Sequence, residues 1–85
     1  MAKEPIGKVK HFFDKIGVAV IGLTSKLKVG DTIEIGKNEE TAFRQEVKSM
    51  EVDHKSVEEA KEGDEVGMKV EHPVKEDVLV NKIID

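Results

Sequence analysis

The feature that most constrains the fold of this chain is the type of its apolar residues. Twelve valines and seven isoleucines stand against only three leucines. β-Branched side chains lose rotamer freedom in a helix but pack well on the pleated surface of a sheet. The seven glycines are spread along the chain and the two prolines, Pro5 and Pro73, lie far apart, as expected of turns between short strands. The composition therefore predicts an all-β protein.

Length and the absence of cysteine limit what such a protein can be. The chain has 85 residues, 38% of them charged and 38% hydrophobic, so we expect one domain, residues 1–85, around one modest core. Without cysteine it has neither a disulfide nor a thiolate nucleophile. His11, His54 and His72 lack the spacing of a metal site, so no metal or other cofactor is expected. The longest apolar run, residues 16–23, is too short to span a membrane and the polar start is unlike a signal peptide, which predicts a cytoplasmic protein.

Apolar spacing predicts strands along most of the chain. Alternation in the first strand places Val9, His11 and Phe13 on one face. Residues 16–23 are apolar on both faces, which predicts a strand covered on both sides. The segment 55–62 is predicted to be a loop, tethered to the core by Val57 and Ala60. The expected strands cover residues 6–13, 16–23, 32–35, 41–54, 66–70 and 78–84.

The fourth of these strands contains a change of parity. Phe43 and Val47 face one side, whereas Met50 and Val52 face the other. A continuous strand cannot do that, so we expect a β-bulge or a sharp bend near residues 48–49. Such bends increase twist and help small sheets to curl into barrels.

One short pattern, Lys-x-Gly-Asp, occurs twice, at residues 28–31 and 61–64. Glycine adopts positive φ in a tight turn without strain, and aspartate accepts a hydrogen bond from a nearby backbone amide. Both copies stand just before a predicted strand. We interpret them as repeated turns rather than as catalytic or metal-binding aspartates.

Two blocks of sequence carry a resemblance to a known family. Residues 47–54 read Val-Lys-Ser-Met-Glu-Val-Asp-His, and residues 57–67 read Val-Glu-Glu-Ala-Lys-Glu-Gly-Asp-Glu-Val-Gly. With the turn at residues 28–31, they resemble the second domain of elongation factor Tu and its archaeal and eukaryotic relatives. The resemblance extends over residues 7–70. It implies a closed antiparallel Greek-key barrel of six or seven strands.

The catalytic residues of the parent factors have no counterpart in the sequence. No Gly-x-x-x-x-Gly-Lys-Ser/Thr stretch is present to cradle a nucleotide phosphate, and no serine, histidine and aspartate set stands out. We therefore expect no nucleotide binding and no enzymatic activity. A translation-associated binding module is the main prediction.

The family resemblance also implies partners and a pocket. In elongation factor Tu this barrel helps to hold the aminoacyl end of transfer RNA and contacts ribosomal RNA, which makes transfer RNA and the ribosome the candidate partners. Carried over position by position, the pocket corresponds to Glu51, His54 and Asp64. Glu65 stands where the bacterial factor has asparagine.

Charge placement predicts where a nucleic acid would bind. Residues 1–44 carry eight basic and six acidic side chains, whereas residues 45–85 carry six and twelve. Cations and aromatic rings come together in the first half, as in nucleic-acid-binding surfaces. The alternative is a solvated strand face with one phenylalanine in the core, which the sequence pI near 5.4 favours. The predicted RNA-binding residues are Lys8, Lys10, His11, Phe12, Lys15 and Lys28.

A second resemblance leads to a different function. Residues 7–20 are similar to the C-terminal barrel of collagenase-like peptidases, and this similarity extends over nearly the whole chain. It implies an accessory barrel without the catalytic part. The alternative prediction is therefore a protein-interaction module that docks on a partner enzyme, such as a collagenase-like peptidase, through its acidic second half.

Overall fold

The computed structural model describes residues 2–37 and 40–84, and all regular structure in these two ranges is β-strand. The all-β prediction is confirmed. Within the same ranges there is no helix long and apolar enough to cross a membrane. The strands are β1 (Ala2–Phe13), β2 (Val18–Leu23), β3 (Leu27–Lys28), β4 (Thr32–Ile35), β5 (Phe43–Glu46), β6 (Met50–Val52), β7 (Lys55–Val57), β8 (Glu59–Ala60), β9 (Glu65–Lys69) and β10 (Leu79–Ile84).

Eight strands form one antiparallel sheet in the order β5-β4-β10-β1-β2-β9-β6-β7, and β3 pairs with β8 in a second sheet. The predicted closed barrel of six or seven strands is wrong in two respects. The main sheet has eight strands, and it is open, because its end strands β5 and β7 do not pair with each other in the described ranges. The turn after β3 bridges the ends instead: the N–H of Gly30 donates to the carbonyl of Val47 at 2.8 Å, and the N–H of Val29 donates to that of Glu58 at 2.9 Å.

A buried side chain also spans the gap. Gln45 on β5 is only 8% exposed. Its Nε2 donates to the carbonyl of Lys69 at 2.9 Å, and its Oε1 accepts the N–H of Glu71 at the same distance. Buried amides are hydrogen-bonded almost without exception, and here the bonds join β5 to the end of β9 where no ladder exists. The side chain of Gln45 thus links parts of the sheet that backbone hydrogen bonds would join in a closed barrel.

Strand β1 turns the sheet from one half to the other. It pairs first with β10 and then with β2, and the register shifts after Pro5 and again after Val9. The second shift reverses the facing of the strand: Val9 is buried and Phe12 packs against the core, whereas His11 and Phe13 are exposed. The prediction that Val9, His11 and Phe13 share a face is therefore wrong, since alternation is lost across a bulge.

The corner in β1 requires a residue without a side chain. Gly7 lies opposite Leu23 of β2 and Val80 of β10. A Cβ built on Gly7 would overlap with the carbonyl oxygen of Gly22. The backbones of β1 and β2 therefore approach at this point as closely as only glycine permits.

The segment from β5 to β8 confirms one prediction and corrects another. The break expected near residues 48–49 is confirmed, since β5 ends at Glu46 and β6 begins at Met50, near the other end of the sheet. The prediction of a loop at residues 55–62 is wrong, because this segment holds β7 and β8. Its tethering is confirmed: Ala60 is buried and Val57 packs against the core.

Both Lys-x-Gly-Asp patterns form the predicted turn. Gly30 and Gly63 have φ of 99° and 93°, the left-handed region that glycine adopts without strain. The carboxylates of Asp31 and Asp64 accept the N–H groups of Lys28 and Lys61 at 2.9 and 3.1 Å. The interpretation as turns is therefore confirmed.

The core lies on the inner face of the curved sheet and receives side chains from both ends of it. On the opposite, outer face of the sheet, Val18 and Val20 of β2 are only half-buried. The buried apolar residues are Ile6, Val9, Ala19, Ile21, Leu23, Leu27, Ile33, Ile35, Val47, Met50, Ala60, Val66, Met68, Val78 and Val80.

Candidate functional site

A groove crosses β2, β9 and β6 on the outer face of the sheet. Val20 lies opposite Gly67, and Gly67 lies opposite Glu51, so these residues share one face. The groove has a volume of about 460 Å³. We name it the outer groove and define it by its lining residues, Phe13, Ile16, Val18, Val20, Glu51, Asp53, His54, Glu65 and Gly67.

The depth of the outer groove comes from Gly67. No side chain stands there between Val20 and Glu51. A Cβ built on Gly67 would meet the Cγ1 of Val18 at 3.7 Å, an ordinary van der Waals distance. Packing of the fold therefore does not require glycine at this position, and its effect is on the shape of the surface.

Accessible apolar side chains form one end of the groove. Phe13 and Ile16, at the turn between β1 and β2, are 46% and 60% exposed. The ring of Phe13 is held edge-on against that of His11, with centroids 4.4 Å apart. Large apolar side chains beside a concave surface are typical of interaction sites.

Three carboxylates line the rest of the groove, those of Glu51, Asp53 and Glu65. None of them forms an ion pair within residues 2–37 and 40–84. Because no cation of the described chain neutralises them, they give the groove a negative potential that is available to a ligand.

Glu34, on the same outer face but on β4, has the opposite environment. Its carboxylate accepts hydrogen bonds from Lys3 at 2.7 Å and from Arg44 at 3.0 Å. The Lys3 hydrogen bond, helped by Arg44, holds the pKa of Glu34 below its ordinary value of 4.5, although burial opposes the shift. This carboxylate is engaged within the fold.

The groove wall includes a strained turn. Val52 lies opposite Lys55, so Asp53 and His54 alone connect β6 to β7. Both have positive φ, 52° and 65°. This is the pattern of a type I′ turn, which Asn-Gly or Asp-Gly normally occupies. His54 therefore holds a backbone conformation that strains most residues with a side chain.

The structure brings together two of the three residues of the family pocket. Glu51 and His54 line the outer groove. Asp64 does not, since its carboxylate caps the turn at Lys61. Its neighbour Glu65, opposite Gly22 on β2, lines the groove instead. The binding roles of these residues stay predictions.

The predicted RNA-binding residues are divided by the fold. Phe12 faces inward and packs against the core, so the exposed ring is that of Phe13, and His11 lies 3.1 Å from the carboxylate of Glu76. Lys28 lies in the second sheet, opposite Glu59. Lys8, Lys10 and Lys15 are exposed on β1 and the turn after it. RNA binding by this set stays a prediction.

The apolar part of the outer groove was not identified from the sequence. Val18 and Val20 belong to the strand that was expected to be covered on both faces, but they are only half-buried. The available signal was an apolar outer face with no other segment to cover it. Gly67, within a strand, was a second signal, because glycine there often marks a close approach by another chain or ligand.

A second pocket, of about 600 Å³, lies between β4, β5 and the segment 72–78. The rings of Phe43 and His72 pack edge to face in its wall, with centroids 4.8 Å apart. No residue of the family pocket lines it. The outer groove is therefore the candidate site.

Comparison with known proteins gives two kinds of relative. The protein-family model for elongation factor Tu domain 2 matches residues 26–81. An uncharacterized protease of Methanocaldococcus jannaschii is 46% identical over 74 residues, which cover 87% of this chain. The chain spans only 18% of the length of that protease.

Two solved structures share the fold. Both are of the C-terminal domain of a Geobacillus thermoleovorans protein described as a U32 peptidase. One is 20% identical with a TM-score of 0.87, and covers 95% of this chain and 93% of that domain. Its selenomethionine variant is 21% identical with a TM-score of 0.86, and the shares are 93% and 99%. At this identity the likeness concerns the fold.

Both resemblances seen in the sequence are thus confirmed, one by the family match and the other by the peptidase relatives. The family match begins in the residues before β3 and includes every strand up to the middle of β10. It also includes the two blocks on which the first resemblance rested. The chain belongs to the family of elongation factor Tu domain 2.

Proposed function

We propose that this chain is a non-catalytic accessory barrel that docks on the catalytic part of a U32-type peptidase. The observation that carries the proposal is its 46% identity with the archaeal protease over 87% of its own length. The matching segment is 18% of that protease, which leaves most of the relative for other parts. The solved domains of similar fold come from a protein that is also described as a peptidase.

The outer groove supports docking on a protein. Its floor is apolar, and Phe13 and Ile16 remain accessible beside it. Surfaces of this kind bury apolar area on association, at roughly 25 cal/mol per Å². The carboxylates around the floor add a requirement for complementary charge, which favours the correct partner over others.

A translation-type role is less well supported by the same geometry. Glu51, Asp53 and Glu65 would repel the phosphates of an RNA ligand, and no lysine or arginine of the described ranges lines the groove. Of the predicted RNA-binding residues, His11 is paired with Glu76 and Lys28 lies in the other sheet. We therefore prefer the peptidase role and keep RNA binding as an outcome of the experiment.

The test is a binding measurement between the purified chain and the archaeal protease lacking its matching segment, with the fold of the truncated protease checked by circular dichroism. Sedimentation velocity is expected to show a 1:1 complex. The full-length protease serves as the control, because its own segment fills the docking site. It is expected to bind the chain at least about tenfold more weakly.

Failure to bind either form of the protease would contradict the proposal. Salt-dependent binding of transfer RNA that is lost in Lys8→Glu/Lys10→Glu would instead support the translation-type role.

A further inference from the structure

The outer groove has an apolar floor and a charged rim, which is formed by the carboxylates of Glu51, Asp53 and Glu65. Each part restricts which ligands can bind. Val18 and Val20 form the floor beside Gly67, and Phe13 and Ile16 close one end. The volume, about 460 Å³, lies within the range of sites that bind small molecules or a few side chains. A fully polar ligand would leave this floor unused.

The rim selects the charge of the ligand. Glu51, Asp53 and Glu65 form no ion pair in the described ranges, whereas Glu34 pairs with Lys3 and Arg44, and Glu59 pairs with Lys26. Other polar side chains lie near the groove: His11 is opposite Val20, Lys69 is opposite Val18, and the Lys10 side chain lies over Gly22, which is opposite Glu65. His11 is directed to Glu76, and none of these three residues lines the groove.

An extended peptide satisfies both restrictions at once. Alternate side chains of an extended chain point to the same side, about 7 Å apart. A lysine or arginine two residues from an apolar residue would therefore reach the rim while the apolar side chain contacts the floor beside Gly67. The bases of an RNA could contact the apolar floor, but its phosphates carry negative charge, as the rim carboxylates do.

We infer that the outer groove binds an extended basic segment of the peptidase part on which the barrel docks, with an apolar side chain between two cationic ones. The inference rests on the proposed function for the identity of the partner. The chemistry of the segment follows from the groove alone, so it is testable without any peptidase.

The probe is the synthetic peptide acetyl-Lys-Ser-Leu-Ser-Arg-amide, titrated into the isotope-labelled chain and followed by NMR. Two matched peptides serve as controls: one replaces both cations with glutamate, and the other replaces leucine with serine. We expect saturable binding of the first peptide. Each control is expected to bind at least about tenfold more weakly.

Gly67→Val tests the role of the apolar floor of the outer groove. The new Cβ would meet Val18 at an ordinary distance of 3.7 Å, and valine is a better strand former than glycine. The substitution fills the groove without disturbing the core. We expect at least about tenfold weaker binding of the peptide, with a melting temperature equal to or above that of the unchanged chain. A merely structural role for Gly67 would predict the opposite change in stability.

Glu51→Gln/Asp53→Asn/Glu65→Gln tests the rim. Loss of three partly exposed ion pairs is expected to weaken peptide binding by about tenfold. The control is Glu58→Gln/Glu62→Gln/Glu71→Gln, three exposed carboxylates outside the groove whose removal changes the net charge equally. This control is expected to keep the affinity within about twofold.

Three results would overturn the inference: no saturable binding at about 1 mM peptide, full affinity in Gly67→Val, or equal weakening by the two triple variants. A chain that binds the truncated protease but not the peptide would refute this inference and leave the proposed function intact. A chain that binds the peptide but not the protease would refute only the proposed function.

Discussion

On the half of the outer face formed by β5, β4 and β10, Glu34 lies between Lys3 and Arg44 with its side chain 10% exposed. On the half formed by β2, β9 and β6, Glu51 and Glu65 lie beside an apolar floor, with no cation paired to them in the described ranges. The two halves belong to one sheet and meet at β1. They differ in whether their carboxylates are paired with cationic side chains of the same chain.

The difference separates a carboxylate that is paired within the fold from carboxylates that are not. Burying a carboxylate costs free energy unless opposite charges and hydrogen bonds compensate, so Glu34 depends on both of its partners. The rim carboxylates of the outer groove are exposed and form no such ion pair in the described ranges. Their presence is not explained by stability, which is why we connect them with a partner.

The corner that joins the two halves should be the most sensitive to substitution. Gly7→Ala would force a Cβ against the backbone of Gly22, and we expect it to lower the free energy of unfolding by about 2–4 kcal/mol. Gly22→Ala is the matched control. Its Cβ would meet the flexible side chain of Lys10, which can move aside, and we expect a loss below about 1 kcal/mol.

Urea denaturation measures both variants. Equal losses for Gly7→Ala and Gly22→Ala would show that the close approach of β1 and β2 does not hold the halves together.

Next in size is a direct comparison of the two kinds of carboxylate. Glu34→Gln removes the charge between Lys3 and Arg44, and we expect it to lower the free energy of unfolding by about 1–2 kcal/mol at neutral pH. Glu51→Gln removes an unpaired charge and is expected to change it by less than about 0.5 kcal/mol. Similar losses in chemical denaturation would contradict the distinction drawn between the two halves.

The Glu34 contribution should also depend on pH with a definite sign. Its pKa is lowered by folding, so the folded state binds fewer protons there than the unfolded state does. The contribution is fully present above the unfolded value of 4.5 and is lost as pH falls through the lower, folded pKa. The stability difference between the unchanged chain and Glu34→Gln should therefore be constant near neutrality and shrink in acid. A stability difference that grows in acid would contradict a pKa of Glu34 that is lowered by folding.

The smallest expected effect is a gain in stability at the groove wall. Asp53→Asn/His54→Gly supplies the residues preferred in a type I′ turn, and it is expected to raise the free energy of unfolding by about 1 kcal/mol. Thermal unfolding measures it. An unchanged or lower melting temperature would mean that the turn is not strained as its φ values imply.

Local chemistry explains what was predictable from the sequence. The β-branched composition identified the fold class, and the two Gly-Asp turns depend on residues three positions apart. The break after β5 was visible because Phe43 and Met50 have incompatible parity. Glu51 and His54 could be placed in a common pocket because the family resemblance carried the geometry.

Long-range geometry explains what was not predictable. The bulge after Val9 exposes Phe13 instead of Phe12, and it is fixed by pairing with β2 rather than by β1 itself. The link between β5 and the end of β9 depends on Gln45 meeting Lys69, which is 24 residues away in sequence. The outer groove combines three strands, so the absence of a side chain at Gly67 acquires a meaning only once those strands are neighbours.

The most direct test of docking through the outer groove is an NMR map of the isotope-labelled chain during titration with the truncated archaeal protease. We expect the amides of Val18, Val20, Glu51 and Gly67 to shift or broaden first, while those of Glu34 and Arg44 on the other half stay unchanged. Changes centred on Glu34 and Arg44, or no changes at saturating protease, would contradict it.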